Sequence, residues 1–199
     1  MLTIALVYPV AFVIAVLVAW RGFARGLGAL QVLARVALVL YLGWLAGATL
    51  FPIPVTGHMT PAQLDPTERL LDRLNAPNLV PLRAIRESAA LGWGWPAVRL
   101  LAGNILVFVP FGFLLPVIWP RLGRPWRMLL AGLFLSGAVE LSQLAVSLCL
   151  GYYYRMTDVD DVLLNTCGVL LGFAALIAVR AWSRRGTPGG PLGPTTPSR

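Results

Sequence analysis

Five apolar runs, each close to the length of a bilayer's hydrocarbon core and almost free of charge, constrain this chain more than any other feature. About 20 apolar residues cross the core as a helix. Lipid offers no hydrogen bonds, so each span must satisfy its own backbone N–H and C=O groups, and an open chain can do that only as a helix. The runs lie at Met1 to Trp20 and at about Val36 to Phe51, Val98 to Trp119, Met128 to Cys149 and Val162 to Val179. They predict an all-α membrane protein with five transmembrane helices. Only 12% of the 199 residues are charged, where a soluble domain carries about 25%. Pro52 and Pro54 end the second run, Pro9 is expected to kink the first, and Pro110 interrupts the third, where neighbouring helices can serve the freed carbonyl. The first run lacks the basic leader and small-residue cleavage site of a signal peptide and reads as an uncleaved span.

The charges are unevenly placed. All sixteen basic residues are arginines, and the net charge is +8. They cluster at the ends of apolar runs, which points to a membrane surface and not to nucleic acid. The segments after runs one, three and five hold ten arginines, from Arg21, Arg25 and Arg35 through Arg121, Arg124 and Arg127 to the C-terminus, and no acid. The other side holds the remaining six arginines and all eight acids. The positive-inside rule then predicts an N-terminus outside and a cytoplasmic C-terminus. Cys149 and Cys167 have no metal-site spacing and lie at different depths, so they are expected as small packing residues without a disulfide.

Four regions follow: two N-terminal transmembrane helices over 1–51, a long extracytoplasmic loop over 52–97, a three-helix core over 98–180 and a disordered tail over 181–199. In the loop, Leu70, Leu71 and Leu74 share a face and predict a surface helix over Pro66 to Asn75. Trp93 and Trp95 are expected as interfacial anchors, and His58 as a solvated loop residue.

The polar exceptions to the apolar pattern gather at the predicted outer end. Asn104 lies early in run three, Glu140 and Gln143 late in run four, and Arg155, Asp158, Asp160, Asp161 and Asn165 at the entry to run five. Helical spacing places Arg155, Asp158, Asp161, Asn165, Gly168 and Gly172 on one face. Glu140 is costly in hydrocarbon unless paired or wet, and Arg155 is its expected partner. Asn78 joins from the loop. Gly132 and Gly137 are expected to allow close helix approach. Two structural readings stand beside a functional one: Thr157 or Asp158 caps the fifth helix while Asp160 favours its positive end, and the polar groups cross-link three helices.

The chain resembles the VanZ-like family of bacterial membrane proteins in Asn78-Leu79-Val80-Pro81, Asn104 to Gly112, Glu140-Leu141-Ser142-Gln143, and Arg155 to Asp161 continuing to Asn165, Gly168 and Gly172. The resemblance covers roughly Asn78 to Gly172, while Cys149 to Tyr154 looks particular to this chain. It implies a multi-pass protein of the bacterial cytoplasmic membrane with an outer polar cluster. The family takes its name from a member that accompanies glycopeptide resistance clusters and lowers susceptibility to teicoplanin.

Three functions remain open on these residues. The first is recognition of membrane lipids or lipid-linked envelope precursors, with Arg155 on phosphate and Asn104, Gln143 and Asn165 on sugar or peptide groups. The second is an enzyme acting on lipid head groups, with a divalent cation at Asp158 and Asp161 and Glu140 as general base; no other cofactor is suggested. The third is a transporter using Glu140 for protons, although no internal repeat or inner polar relay supports it.

Overall fold

The structure is a computed structural model and describes residues 7–51, 53, 67, 77–90, 92 and 94–185. His58, Trp93, the tail beyond 185 and all of the predicted surface helix except Thr67 lie outside the described residues. The described helices are α1 (Val7–Ala24), α2 (Ala29–Leu50), α3 (Arg83–Ala90), α4 (Trp95–Ile118), α5 (Pro125–Leu150) and α6 (Val159–Arg185). All but α3 are long and apolar enough to cross a membrane. The chain is therefore an all-helical, multi-pass membrane protein. Its connections define an arginine end, where α1 joins α2, α4 joins α5 and α6 finishes, and an opposite, polar end.

Every spanning helix runs past a predicted bound, and α2 and α6 do so furthest. Helix α2 starts at Ala29 and not near Val36, so Arg35 is a helical residue and not part of the connection. The extension is held by Gln31, whose Nε2 donates to the Val117 carbonyl at 2.7 Å. Val117 lies in the last turn of α4, where carbonyls have no intrahelical donor. Arg35 is half-buried, and its Nε has no partner among the described residues. Helix α6 runs from Val159 to Arg185 and brings Arg184 and Arg185 into its last turn, where cations favour the negative end of the helix dipole.

Contact between α4 and α6 depends on missing side chains. A Cβ on Gly168 would overlap the Ile105 carbonyl oxygen, one on Gly172 that of Val109, and one on Gly112 that of Val169. Lipid tails are as apolar as leucine, so helices in a bilayer associate through close packing, which glycine permits. Gly132 on α5 sits against Thr166 and Val169, with a Cβ position 3.3 Å from Thr166 Cα. Gly137 faces open space, contrary to expectation, because it lies on a different side of α5. Phe108, Phe111, Leu115 and Ile118 of α4 fill the core with Leu38, Leu45, Met128 and Phe173.

Helix α1 packs on α2 at Gly22 and Gly43, while its large residues Phe12, Val13, Val16 and Trp20 stay exposed, as suits a lipid-facing helix. Pro9 falls in the first turn of the described α1. Cys149 and Cys167 form no disulfide and are exposed. They are not core packing residues: each sits beside a buried stripe (Ser147 and Leu150 on α5, Thr166 and Gly168 on α6) and points away from it.

Alanine normally favours a helix over glycine by about 0.5–1 kcal/mol. At Gly168 and Gly172 the sign should reverse, since overpacking costs about 1–3 kcal/mol. Gly168→Ala and Gly172→Ala should lower thermal stability in detergent, while Gly137→Ala should leave it unchanged or raise it. A Gly168→Ala protein as stable as wild type would refute backbone contact between α4 and α6.

Candidate functional site

The polar end is built around the start of α6. Asp158 precedes the helix as its cap, with Oδ1 accepting the Asp160 N–H at 2.8 Å. A short side-chain acceptor at this position serves an N–H that the first turn leaves unpaired. The predicted common face for Arg155 and Asp158 therefore fails: both lie ahead of the helix, and helical spacing does not apply to them. Asp161, Asn165, Gly168 and Gly172 do lie within it. Burial pushes the Asp158 carboxyl above its ordinary range, against the opposing pull of the Asp160 and Asn78 donors.

The segment around Asn78 docks on this cap. Its N–H donates to the Thr157 carbonyl at 2.8 Å and its carbonyl accepts the Val159 N–H at 3.0 Å, forming an isolated parallel bridge with Asp158. Its side-chain Nδ2 donates to Asp158 Oδ1 at 2.8 Å. The chain then turns through Leu82 at φ 63°, a left-handed conformation that costs a non-glycine residue about 1–3 kcal/mol. Asp160 accepts the Leu82 N–H and holds that turn. Asp160 is 1% exposed and belongs to the interlock; a dipole argument alone undervalued it. The strained turn that needs it shows no signature in the sequence.

The transmembrane helices contribute the rest. Glu140 of α5 accepts the Asp158 N–H at 2.9 Å. Asn104 of α4 donates to Asp161 of α6. Asn165 Nδ2 of α6 donates to Ser136 Oγ of α5 at 2.9 Å. Ser136 was not anticipated, although its place four residues before Glu140 puts it on the same face of α5. The Asn165 Oδ1 and Thr157 Oγ1 atoms are buried without partners among the described residues.

Arg155 does not pair with Glu140. Its Nη2 donates to the Phe51 carbonyl at 2.7 Å. Tyr154 Oη donates to the Leu50 carbonyl at 3.2 Å, and Gln143 Nε2 to the Thr49 carbonyl at 2.9 Å. Three successive carbonyls at the end of α2 thus find donors from α5 and the loop after it. A cation at a helix C-terminus is also favoured by the dipole, so Arg155 meets an acceptor that charge matching between side chains does not reveal. The aromatic loop is integral: Tyr152 is buried against Leu150, and burial pushes the Tyr154 phenol above its ordinary range.

All eight predicted residues thus come to the polar end, but in two groups. Asn78, Asn104, Glu140, Asp158, Asp161 and Asn165 surround the start of α6, while Gln143 and Arg155 close the end of α2. Asp158 Oδ1 already takes two donors, from Asn78 and Asp160. Among the described residues no group of three His, Cys, Asp or Glu side chains is arranged to hold a metal ion.

A buried hydrogen bond to a charged group contributes about 1.5–3 kcal/mol. Asp160→Ala should reduce thermal stability by about that amount, and Asp160→Asn, which keeps an oxygen for Leu82, by clearly less. Equal loss in both variants would show that the contact with Leu82 is not what Asp160 supplies.

Residues 38–180 match the family model described as VanZ/LLP1. Over 53 residues the chain is 45% identical to a polyprenol-phosphate-mannose-dependent alpha-(1-2)-phosphatidylinositol pentamannoside mannosyltransferase of Mycolicibacterium smegmatis. That stretch covers 27% of this chain and 12% of the mannosyltransferase. No solved structure matches the chain. The family match runs from within α2 into the last turns of α6, across the whole polar cluster, and the chain belongs to the VanZ/LLP1 family.

Proposed function

We propose that this protein recognises the head group of a membrane lipid or lipid-linked envelope precursor at the outer face of the bacterial cytoplasmic membrane, and thereby alters glycopeptide susceptibility. The observation that carries this reading is the convergence of Asn104, Glu140, Asp161 and Asn165, from three spans, with the docked Asn78 segment at one end of the bundle. Lipid head groups lie at that depth. Arg155 and Gln143 keep their structural contacts to α2, so ligand contacts fall to Asp161, Glu140, Asn104 and Asn165. The mannosyltransferase that shares a stretch with this chain is named for a polyprenol-phosphate-linked sugar and a phosphatidylinositol glycolipid, both of them lipids with large polar heads. Carbohydrate or peptide parts of such a head group suit the amides. The arginine-rich end supports a cytoplasmic C-terminus and an external polar end.

A fluorescent protein fused to the C-terminus should therefore fluoresce, and alkaline phosphatase fused there should be inactive. The reverse pattern would invert the orientation and place the cluster on the cytoplasmic face.

Bacterial hosts expressing wild type should show lower teicoplanin susceptibility than hosts expressing Glu140→Gln or Asp161→Asn at matched membrane levels. Protection by the variants equal to wild type would reduce the cluster to helix cross-linking. No effect of wild type in several hosts would remove glycopeptide susceptibility from the function.

A further inference from the structure

We infer that the acidic centre at the start of α6 takes a protonated amine, so that the head group recognised there is an amine-bearing one. The inference rests on the head-group reading above and specifies which chemistry enters the site.

The first observation is that Glu140, Asp158 and Asp161 have no ion-pair partner among the described residues. Among the described residues, the charges that act on Glu140 are Asp161 and Asp158, and those that act on Asp161 are Asp158 and Asp160. Arg83 is the base whose field reaches Asp158, and its Nε is bonded to Glu87 at 2.7 Å. Arg155, another base at this end, is directed to the Phe51 carbonyl. Among the described residues none forms an ion pair with Glu140, Asp158 or Asp161.

The second observation is independent of charge. The donors around the acids are engaged: Asn78 Nδ2 and the Asp160 N–H with Asp158, Asn104 Nδ2 with Asp161, Asn165 Nδ2 with Ser136, and the Asp158 N–H with Glu140. An acceptor remains. Asn165 Oδ1 is unpartnered on a residue 5% exposed. Asn165 lies one helical turn beyond Asp161 on α6, and its partner Ser136 lies one turn from Glu140 on α5. Helical side chains lean towards the helix N-terminus, so the Asn165 amide lies on the inner side of the two carboxylates, one turn deeper. An amide oxygen can only accept, and a buried one without a donor costs about 1–3 kcal/mol.

Together these features suit a cation that carries several N–H donors and needs no acceptor; among common lipid head groups, an ammonium fits. A phosphate entering here would be repelled by the acids. A calcium ion needs 6–8 oxygens converging at 2.3–2.6 Å, whereas among the described residues no three acids are so arranged; ammonium hydrogen bonds accept a wider set. Asp161 is half-buried while Glu140 and Asn165 are buried. The amine thus meets Asp161 first, and Glu140 and Asn165 behind it.

The test is lipid retention by the full-length protein, read by native mass spectrometry from detergent doped with phosphatidylethanolamine, lysyl-phosphatidylglycerol, N-acetylated phosphatidylethanolamine or phosphatidylglycerol. The two amine lipids should be retained roughly tenfold over the two that lack an amine, the size of one charge-assisted hydrogen bond. Asp161→Asn and Glu140→Gln keep an oxygen for Asn104 and for the Asp158 N–H, and each should erase the preference while unfolding at a temperature near wild type. Should one variant fail to accumulate, the other decides. Equal retention of acetylated and free phosphatidylethanolamine overturns the amine and leaves head-group recognition standing. Retention of none of the four overturns both. A preference that survives both variants places the amine elsewhere and overturns the site. Thermal stabilisation by calcium or magnesium in wild type but not in Asp161→Asn assigns the centre to a metal and overturns the amine.

Discussion

A helix end at a membrane interface leaves backbone groups that neither the helix nor the hydrocarbon can satisfy, and the arrangement of this protein follows from where their partners come from. The carbonyls of Thr49, Leu50 and Phe51 at the end of α2 are met by Gln143, Tyr154 and Arg155. At the opposite end of the bundle, Gln31 meets the Val117 carbonyl of α4. The first N–H groups of α6 and its cap are met by Asp158 and Glu140. These bonds join elements distant in sequence, so completing one helix also fixes the position of another. Much of the polar chemistry of the chain is spent in this way. Only side-chain atoms beyond that need can meet a ligand.

The glycine contacts then set the register in which those atoms meet. Helices α4 and α6 run in the same direction. Gly168 lies over Ile105 and Gly172 over Val109, so the same slide along the axis brings both pairs together. Asn104 and Asp161 are 57 residues apart in sequence, the same offset as Gly112 and Val169, which also touch. A slip of one turn, about 5.4 Å, would break the backbone contacts and the Asn104–Asp161 bond together. Packing in the apolar part of the bundle and hydrogen bonding at its polar end are thus one constraint.

This division explains what was legible in the sequence. The spans were legible because hydrocarbon thickness acts on composition directly, and the meeting of Asn104, Glu140 and Asp161 at one end follows from counting residues along those spans. Arg155 was misassigned because charge suggests Glu140, whereas its acceptor is a carbonyl that every residue carries and no sequence marks. Arg35 looked like a span boundary, but a half-buried arginine one turn beyond Gln31 is tolerated once Gln31 fastens α2 to α4. Gly132 and Gly137 looked alike, and only the neighbours across the interface separate them. Asp160 looked like a helix-start acid, and its contact with Leu82 depends on a turn formed by a distant segment.

Cross-linking does not by itself account for the acids. Glu140 and Asp161 each accept a hydrogen bond from a neutral donor, and an amide oxygen of Gln or Asn would accept the same bond. The charged forms bring a desolvation penalty of several kcal/mol per ion, and each adds repulsion of the other acids nearby. The positive start of α6 returns about 0.3–1 kcal/mol per charge at an exposed site and up to about 2 when partly buried. That accounts for Asp158 at the cap more readily than for the three other acids around it. The proposed ammonium would offset that imbalance at Glu140 and Asp161, whose bonds to the neighbouring helices an amide could make equally well.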